Sequence, residues 1–147
     1  MSYDIFETIT TLSFQSGDIL KEYFENHNYS ISQKTSSFDL VTTADKESQK
    51  IIINTLSSRY PKIAIIGEEG AKIEKHTKVF YIDPLDGTLN FVHKIPFFAV
   101  SIGYWENGEA SIGAVFDPTR RNLFYAKKGE GAFLNGKRIK VSSPKSL

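Results

Sequence analysis

Val79-Phe80-Tyr81-Ile82-Asp83-Pro84-Leu85-Asp86-Gly87-Thr88-Leu89-Asn90-Phe91 is the stretch that decides how this chain is read. Val79 to Ile82 is a short apolar run of the kind that forms a buried strand. Asp83 and Asp86, three residues apart, stand where that strand ends, near enough to share a cation. Gly87-Thr88 follows at once. The backbone N–H groups after Gly87 are free to face an anion, the more so if the chain turns into helix from Leu89. One loop thus offers hard-metal ligands beside a phosphate cradle, the pairing that metal-assisted phosphate chemistry needs.

A second strand end upstream carries acids too. Ile63-Ala64-Ile65-Ile66 reads as a buried strand, and Gly67-Glu68-Glu69-Gly70 follows directly. If the two strands pair, Glu68, Asp83 and Asp86 converge. Three like charges together are unfavourable unless a cation offsets them. Oxygen ligands with no Cys and no placed His favour Mg²⁺ or Mn²⁺ over zinc. Any one of these acids alone reads as a solvated loop residue or a helix cap; the case rests on the three arriving together with Gly-Thr. Asp45 is a first-turn helix acid that can also hydrogen-bond Thr88 and help orient a water. Glu69 is either exposed or a support for the site. Lys34 reads as a solvated lysine with the alternative of facing an anion. His93, three residues before Pro96, reads as a hydrogen-bonded loop histidine before it reads as a ligand.

Working outward, Tyr3 to Asn26 is one amphipathic helix, with Ile5, Ile9, Leu12, Ser16, Ile19, Leu20, Tyr23 and Phe24 at spacings of three and four. Tyr29 to Lys34 alternates like a strand. A second helix starts at Thr42 or Thr43 and stops at Tyr60-Pro61. Beyond Pro96 the chain is a meander: Phe97 to Trp105, an Asn107-Gly108 turn, Ala110 to Phe116, an Asp117-Pro118-Thr119 turn, Asn122 to Ala126, then Ala132 to Leu134 and Arg138 to Val141. The expected fold class is α+β, helices packed on an antiparallel sheet.

With 147 residues the chain suits one domain, residues 1–147, with a real core. A net charge of +1 leaves no basic field for nucleic acid. The absence of Cys excludes disulfides, thiolate nucleophiles and Cys-based zinc sites. Ser101 lacks a G-x-S-x-G setting, and no Walker lysine follows a glycine-rich loop, which disfavours serine hydrolases and NTPases. Met1-Ser2-Tyr3-Asp4 lacks the basic and apolar blocks of a signal peptide, and no apolar run approaches the length of a membrane span; the expected location is the cytoplasm.

These motifs resemble the inositol monophosphatase family. The likeness is carried by Asp83-Pro84-Leu85-Asp86-Gly87-Thr88-Leu89-Asn90-Phe91-Val92-His93, by Gly67-Glu68-Glu69 and by Asp39-Leu40-Val41-Thr42-Thr43-Ala44-Asp45; Pro96, Ser101-Ile102-Gly103 and Gly131 to Gly136 extend it. The resemblance implies the N-terminal half of the inositol monophosphatase and fructose-1,6-bisphosphatase-like fold. It implies a Mg²⁺-dependent phosphomonoester hydrolase that releases phosphate from myo-inositol monophosphate by direct attack of water, with Mn²⁺ as the alternative cation. Glu68, Asp83, Asp86 and the Leu85 carbonyl look like metal ligands. Gly87 and Thr88 look like phosphate binders through N–H and hydroxyl, with Glu68, Leu85 and Asp86 beside the substrate. Asp45 and Thr88 look like the pair that polarises the attacking water, with Glu68 supporting it, and Lys34 matches a lysine near the metal. Alternatives are a related sugar-phosphate, histidinol-phosphate or 3′-phosphonucleotide phosphatase, or a non-catalytic module that binds Mg²⁺ or phosphate. Expected partners are a small phosphorylated substrate and a second copy in a homodimer, with neither nucleic acid nor membrane.

The family also carries a downstream motif, Trp-Asp-x-Ala-(Ala/Gly)-Gly, in a second α/β half. The sequence does not contain it; Trp105 is the only Trp and Glu106 follows it. An uncovered apolar face is therefore expected, with Phe97, Phe98, Val115 and Phe116 as candidates for it.

Overall fold

Ile9, Leu12, Ser16 and Leu20 recur every three or four residues, wind Ile5–Asn26 into helix α1 and bury that stripe. The Asp4 carboxylate caps the helix, accepting the Glu7 N–H at 2.7 Å. The computed structural model describes residues 3–26, 30–33, 40–67 and 77–143. Two short strands follow α1, β1 (Ile31–Gln33) and β2 (Leu40–Thr42), paired antiparallel. Helix α2 (Thr43–Arg59) comes next. Thr42 is its N-cap, as expected, with the side-chain oxygen accepting the Asp45 N–H at 3.1 Å. Tyr60 closes the last turn onto the Leu56 carbonyl at 2.8 Å, and Pro61 cannot extend it.

Among the described residues a sheet of seven strands follows: β3 (Ala64–Ile66), β4 (Lys78–Asp86), β5 (Ala99–Glu106), β6 (Glu109–Asp117), β7 (Asn122–Lys127), β8 (Gly131–Leu134) and β9 (Lys137–Ile139), neighbours in chain order. A short helix, α3 (Thr88–Val92), lies between β4 and β5. The turn chemistry behaves as read: Asn107 and Gly108 take φ of 54° and 81°, Asn135 and Gly136 take 48° and 81°, matching the twist of the strands they join. From β4 to β9 every pair is antiparallel. β3 departs from the expected pattern. It lies parallel to β4, with Ile66 opposite Tyr81, so the sheet is mixed. An apolar run marks a strand without marking its direction.

Helices α1 and α2 cover one face. Ile9, Leu12, Leu20, Ile52 and Leu56 meet Phe80, Ile82, Val100, Ile102 and Phe116, which come from alternate positions of β4, β5 and β6. On the other face Tyr81, Val115 and Phe124 are exposed, with Gly103 and Gly113 beside them in register. Of the four residues expected on an uncovered face, Phe97 is 68% and Val115 40% exposed, but Phe98 and Phe116 are core. Val115 and Phe116 are consecutive, and the pleat sends them to opposite faces. Phe98 instead packs against Phe91 and Phe24, ring centres 4.9 and 5.0 Å away. Among the described residues no helix is long and apolar enough to cross a membrane.

Gly17 sets how closely α1 lies on β6. A Cβ there would come within 2.3 Å of the Phe116 ring. Helix propensity favours Ala over Gly by about 1 kcal/mol, whereas overpacking a full core costs about 1–3 kcal/mol or more. The clash is with a ring that is itself fully buried, so the second effect wins. Gly17→Ala is expected to lose about 1–2 kcal/mol net, read as a lower urea midpoint at unchanged slope.

Candidate metal and phosphate site

In a regular strand, residues three apart face opposite ways. Asp83 and Asp86 would then stand on opposite sides of β4. The register prevents this: Asp83 pairs with Ser101 and Asp86 with Ala99, so three steps along β4 match two along β5. The additional residue makes a β-bulge at Pro84-Leu85. Pro84 favours it, having no N–H to give a ladder. Asp83 reinforces it, since its Oδ1 accepts the Leu85 N–H at 3.2 Å. Ser101 and Ala99 share a face of β5, and therefore Asp83 and Asp86 share a face of β4, about 7 Å apart along the strand. Pro84 and Leu85 are buried in the bulge, and Asp86 is exposed.

Gly87 then reverses the chain with φ of 86°. A Cβ at this position would meet the Phe97 carbonyl at 3.0 Å, so glycine is required by conformation and by space. Gly87 caps α3. The Thr88 hydroxyl donates to the Leu85 carbonyl at 3.0 Å, tying the helix start back to the bulge. Asn90 Nδ2 donates to the Phe97 carbonyl at 2.8 Å. Phe91 is fully buried between Phe98 and Phe24 and anchors the short helix. His93 Nδ1 lies 2.8 Å from the Leu89 carbonyl, the hydrogen-bonded loop histidine read from sequence.

Asp45 is 5% exposed. A helix-start acid that only complements the dipole would sit in solvent; this one points inward from α2. One turn later on the same helix, the buried Ser48 hydroxyl donates to the Pro84 carbonyl at 2.8 Å, inside the bulge. Helix α2 and the Asp83–Asp86 segment are thus joined directly.

A cleft of about 480 Å³ opens beside the bulge, with Asp86, Gly87 and Asn90 on one side and Asp117 and Arg120 on the other. Asp117 organises that second wall. Its Oδ1 accepts the N–H groups of Thr119 and Arg120 at 2.9 and 3.1 Å and the Thr119 hydroxyl at 2.6 Å, and Oδ2 accepts Arg120 Nη1 at 2.9 Å. Arg120 also reaches the Pro96 carbonyl at 3.2 Å. Sequence reading saw only a turn at Asp117; the signal available was an Asp followed two and three residues later by donors. Burial pushes the Asp117 carboxyl up, but the Thr119 and Arg120 donors outweigh it and hold it below its ordinary range. Because folding lowers this pKa, its stabilisation is present above about pH 4 and is lost as pH falls through the folded value. Asp117→Asn is expected to cost about 2 kcal/mol at pH 7 and less at acid pH, where the wild-type carboxyl is itself protonated. Urea denaturation at both pH values checks this.

The structure therefore holds Asp83, Asp86, the Leu85 carbonyl, Gly87 and Thr88 in one short segment, braced from α2 by Ser48, and buried Asp45 lies on that same helix. Glu68, Glu69 and Lys34 lie outside the described residues. Among the described residues no three Asp, Glu, His or Cys side chains gather at metal-binding distance; the third carboxylate read from sequence is Glu68.

The inositol monophosphatase family matches residues 3–147. A Thermotoga maritima protein named fructose-1,6-bisphosphatase/inositol-1-monophosphatase is 44% identical over 117 residues, 80% of this chain and 45% of that protein. Among solved structures, the extragenic suppressor protein suhB of Bartonella henselae has a TM-score of 0.84 at 39% identity, over 94% of this chain and 54% of its own. An IMPase/NADP phosphatase solved with Mg²⁺ and phosphate has a TM-score of 0.81 at 29% identity, over 96% of this chain and 53% of its own. The chain spans about half the length of the curated relatives it matches. With the Asp83–Thr88 bulge and turn in place and the match running over all but its first two residues, the chain belongs to the inositol monophosphatase family.

Proposed function

We propose that this chain supplies the cation- and phosphate-binding part of a Mg²⁺-dependent phosphomonoester hydrolase, and that the substrate is a myo-inositol monophosphate. The observation that carries the proposal is the bulge at Pro84-Leu85, which turns Asp83 and Asp86 to one face just before the Gly87 turn. Carboxylate and carbonyl oxygens are a donor set that suits a hard divalent cation. Asp83, Asp86, the Leu85 carbonyl and Glu68 would hold it. A carbonyl has two lone pairs, so the bond from Thr88 leaves Leu85 one for the ion. Bound there, the cation would supply charge neutralisation for the phosphate and Lewis acidity toward water.

The remaining work falls to the chain. N–H groups at the start of α3 have no acceptor within the helix and would grip phosphate oxygens. The Thr88 hydroxyl proton goes to Leu85, so toward a water the Thr88 oxygen accepts. Asp45 would accept the second water proton and leave a lone pair aimed at phosphorus. The relative solved with Mg²⁺ and phosphate supports this reading.

The test is phosphate release from inositol 1-phosphate with Mg²⁺ and with EDTA. Release that requires the cation is expected. Release indifferent to EDTA would overturn the metal site, and cation binding without release would favour a non-catalytic module. Fructose 1,6-bisphosphate is the second substrate to compare, because the Thermotoga maritima relative bears that name as well; histidinol phosphate and a 3′-phosphonucleotide complete the set.

A further inference from the structure

We propose that Ser48 is a positioning residue that sets the geometry of the cation site through the Pro84 carbonyl; this rests on the reading of Asp83, Leu85 and Asp86 as cation ligands. A serine in a helix interior is a weak choice on propensity, and a buried hydroxyl is costly unless bonded. Serines in such places commonly bond their own helix, as Ser13 does to the Ile9 carbonyl at 2.9 Å. Ser48 is fully buried and reaches across to the strand instead. Its acceptor is a carbonyl in the interrupted part of the ladder, between the Asp83–Ser101 and Asp86–Ala99 pairs. A carbonyl only accepts, so the hydroxyl must donate. The bonded residue is the one between Asp83 and Leu85, which makes the link a brace on the two proposed donors that flank it. Asp45 lies one turn earlier on the same helix and is itself fixed through Thr42. One hydroxyl therefore registers α2, with the proposed water-orienting acid, against the bulge that aims the carboxylates.

Removing the brace takes from the Pro84 carbonyl the bond that Ser48 gives it and lets the bulge relax, which would degrade the cation site more than the fold. Supporting groups of this kind are worth about 10–100-fold in metal affinity. The experiment is Mn²⁺ titration of the full chain by calorimetry, well below the unfolding temperature, with metal-free melting curves as control. Ser48→Ala is expected to weaken Mn²⁺ binding about tenfold while the metal-free Tm falls by only a few degrees, and Ser48→Thr is expected to keep wild-type affinity. Ser48→Ala binding Mn²⁺ as tightly as wild type would overturn the proposal and leave the cation site standing. Wild type that takes up no Mn²⁺, or Asp83→Asn that binds it unchanged, would sink the site itself and the brace with it. If Ser48→Ala does not fold, Ser48→Thr and Ser48→Val, alike in shape and different in the hydroxyl, give the same comparison, and equal affinities overturn the proposal.

Discussion

Asp86→Asn is expected to lower Mg²⁺-dependent phosphate release by about a thousandfold while leaving the fold intact. Lewis-acid and charge stabilisation by a bound cation contribute several kcal/mol to a transition state, and about 4 kcal/mol is a factor of about a thousand. Asp86 is exposed at the end of β4, and among the described residues no hydrogen bond to its carboxylate holds the backbone in place. Its loss therefore removes a proposed ligand and little packing. The sign of the stability change is the sharper check. Without cation, Asp83 and Asp86 are like charges on one face, so the amide should leave the metal-free Tm unchanged or slightly higher. Wild type should gain stability as Mg²⁺ is added, by linkage between binding and folding, and Asp86→Asn should not. Equal Mg²⁺-induced shifts in the two proteins, or retained activity in the variant, would remove Asp86 from the site.

Phe91→Ala is expected to have the largest effect on stability. Phe91 is fully buried, with its ring centre 4.9 Å from Phe98 and 5.5 Å from Phe24. Truncating a buried Phe costs about 3–5 kcal/mol, a large share of the 5–15 kcal/mol that holds a typical domain. Tm should fall on the order of 12 °C. The loss also reaches function, because α3 is only Thr88–Val92 long and Phe91 is its buried residue, packed on Phe24 of α1 and on Phe98. Activity should therefore decline at temperatures where the far-ultraviolet circular dichroism is still native. A Tm within about 3 °C of wild type would show that α3 is held by something other than Phe91.

Much of this was legible in one dimension. The stripe Ile9, Leu12, Ser16, Leu20 announced α1 and its buried face, Thr42 announced the start of α2, and Asn107-Gly108 announced a hairpin. Those signals are local: each depends on residues within a turn or so, and covalent geometry translates them directly. The Asp-Pro-Leu-Asp-Gly-Thr order likewise put two carboxylates and a glycine turn in one short segment, the residues to which we assign the cation and the phosphate. What was not legible involved partners far along the chain. The parallel pairing of β3, the inward burial of Asp45, the Asp117 hub reaching Pro96 and the split between Phe97 or Val115 outside and Phe98 or Phe116 inside all depend on which segment lies alongside.

The sequence by itself determined the chemistry on offer: carboxylates, a carbonyl, a glycine and a threonine after it. It also determined where helices and hairpin turns begin. Tertiary structure alone decided that Asp83 and Asp86 face the same way. Strand periodicity sets residues three apart back to back, and only pairing with β5, two residues against three, inserts the bulge that turns them together. Side-chain direction in a sheet follows from register, and register is a relation between two segments that neither one carries.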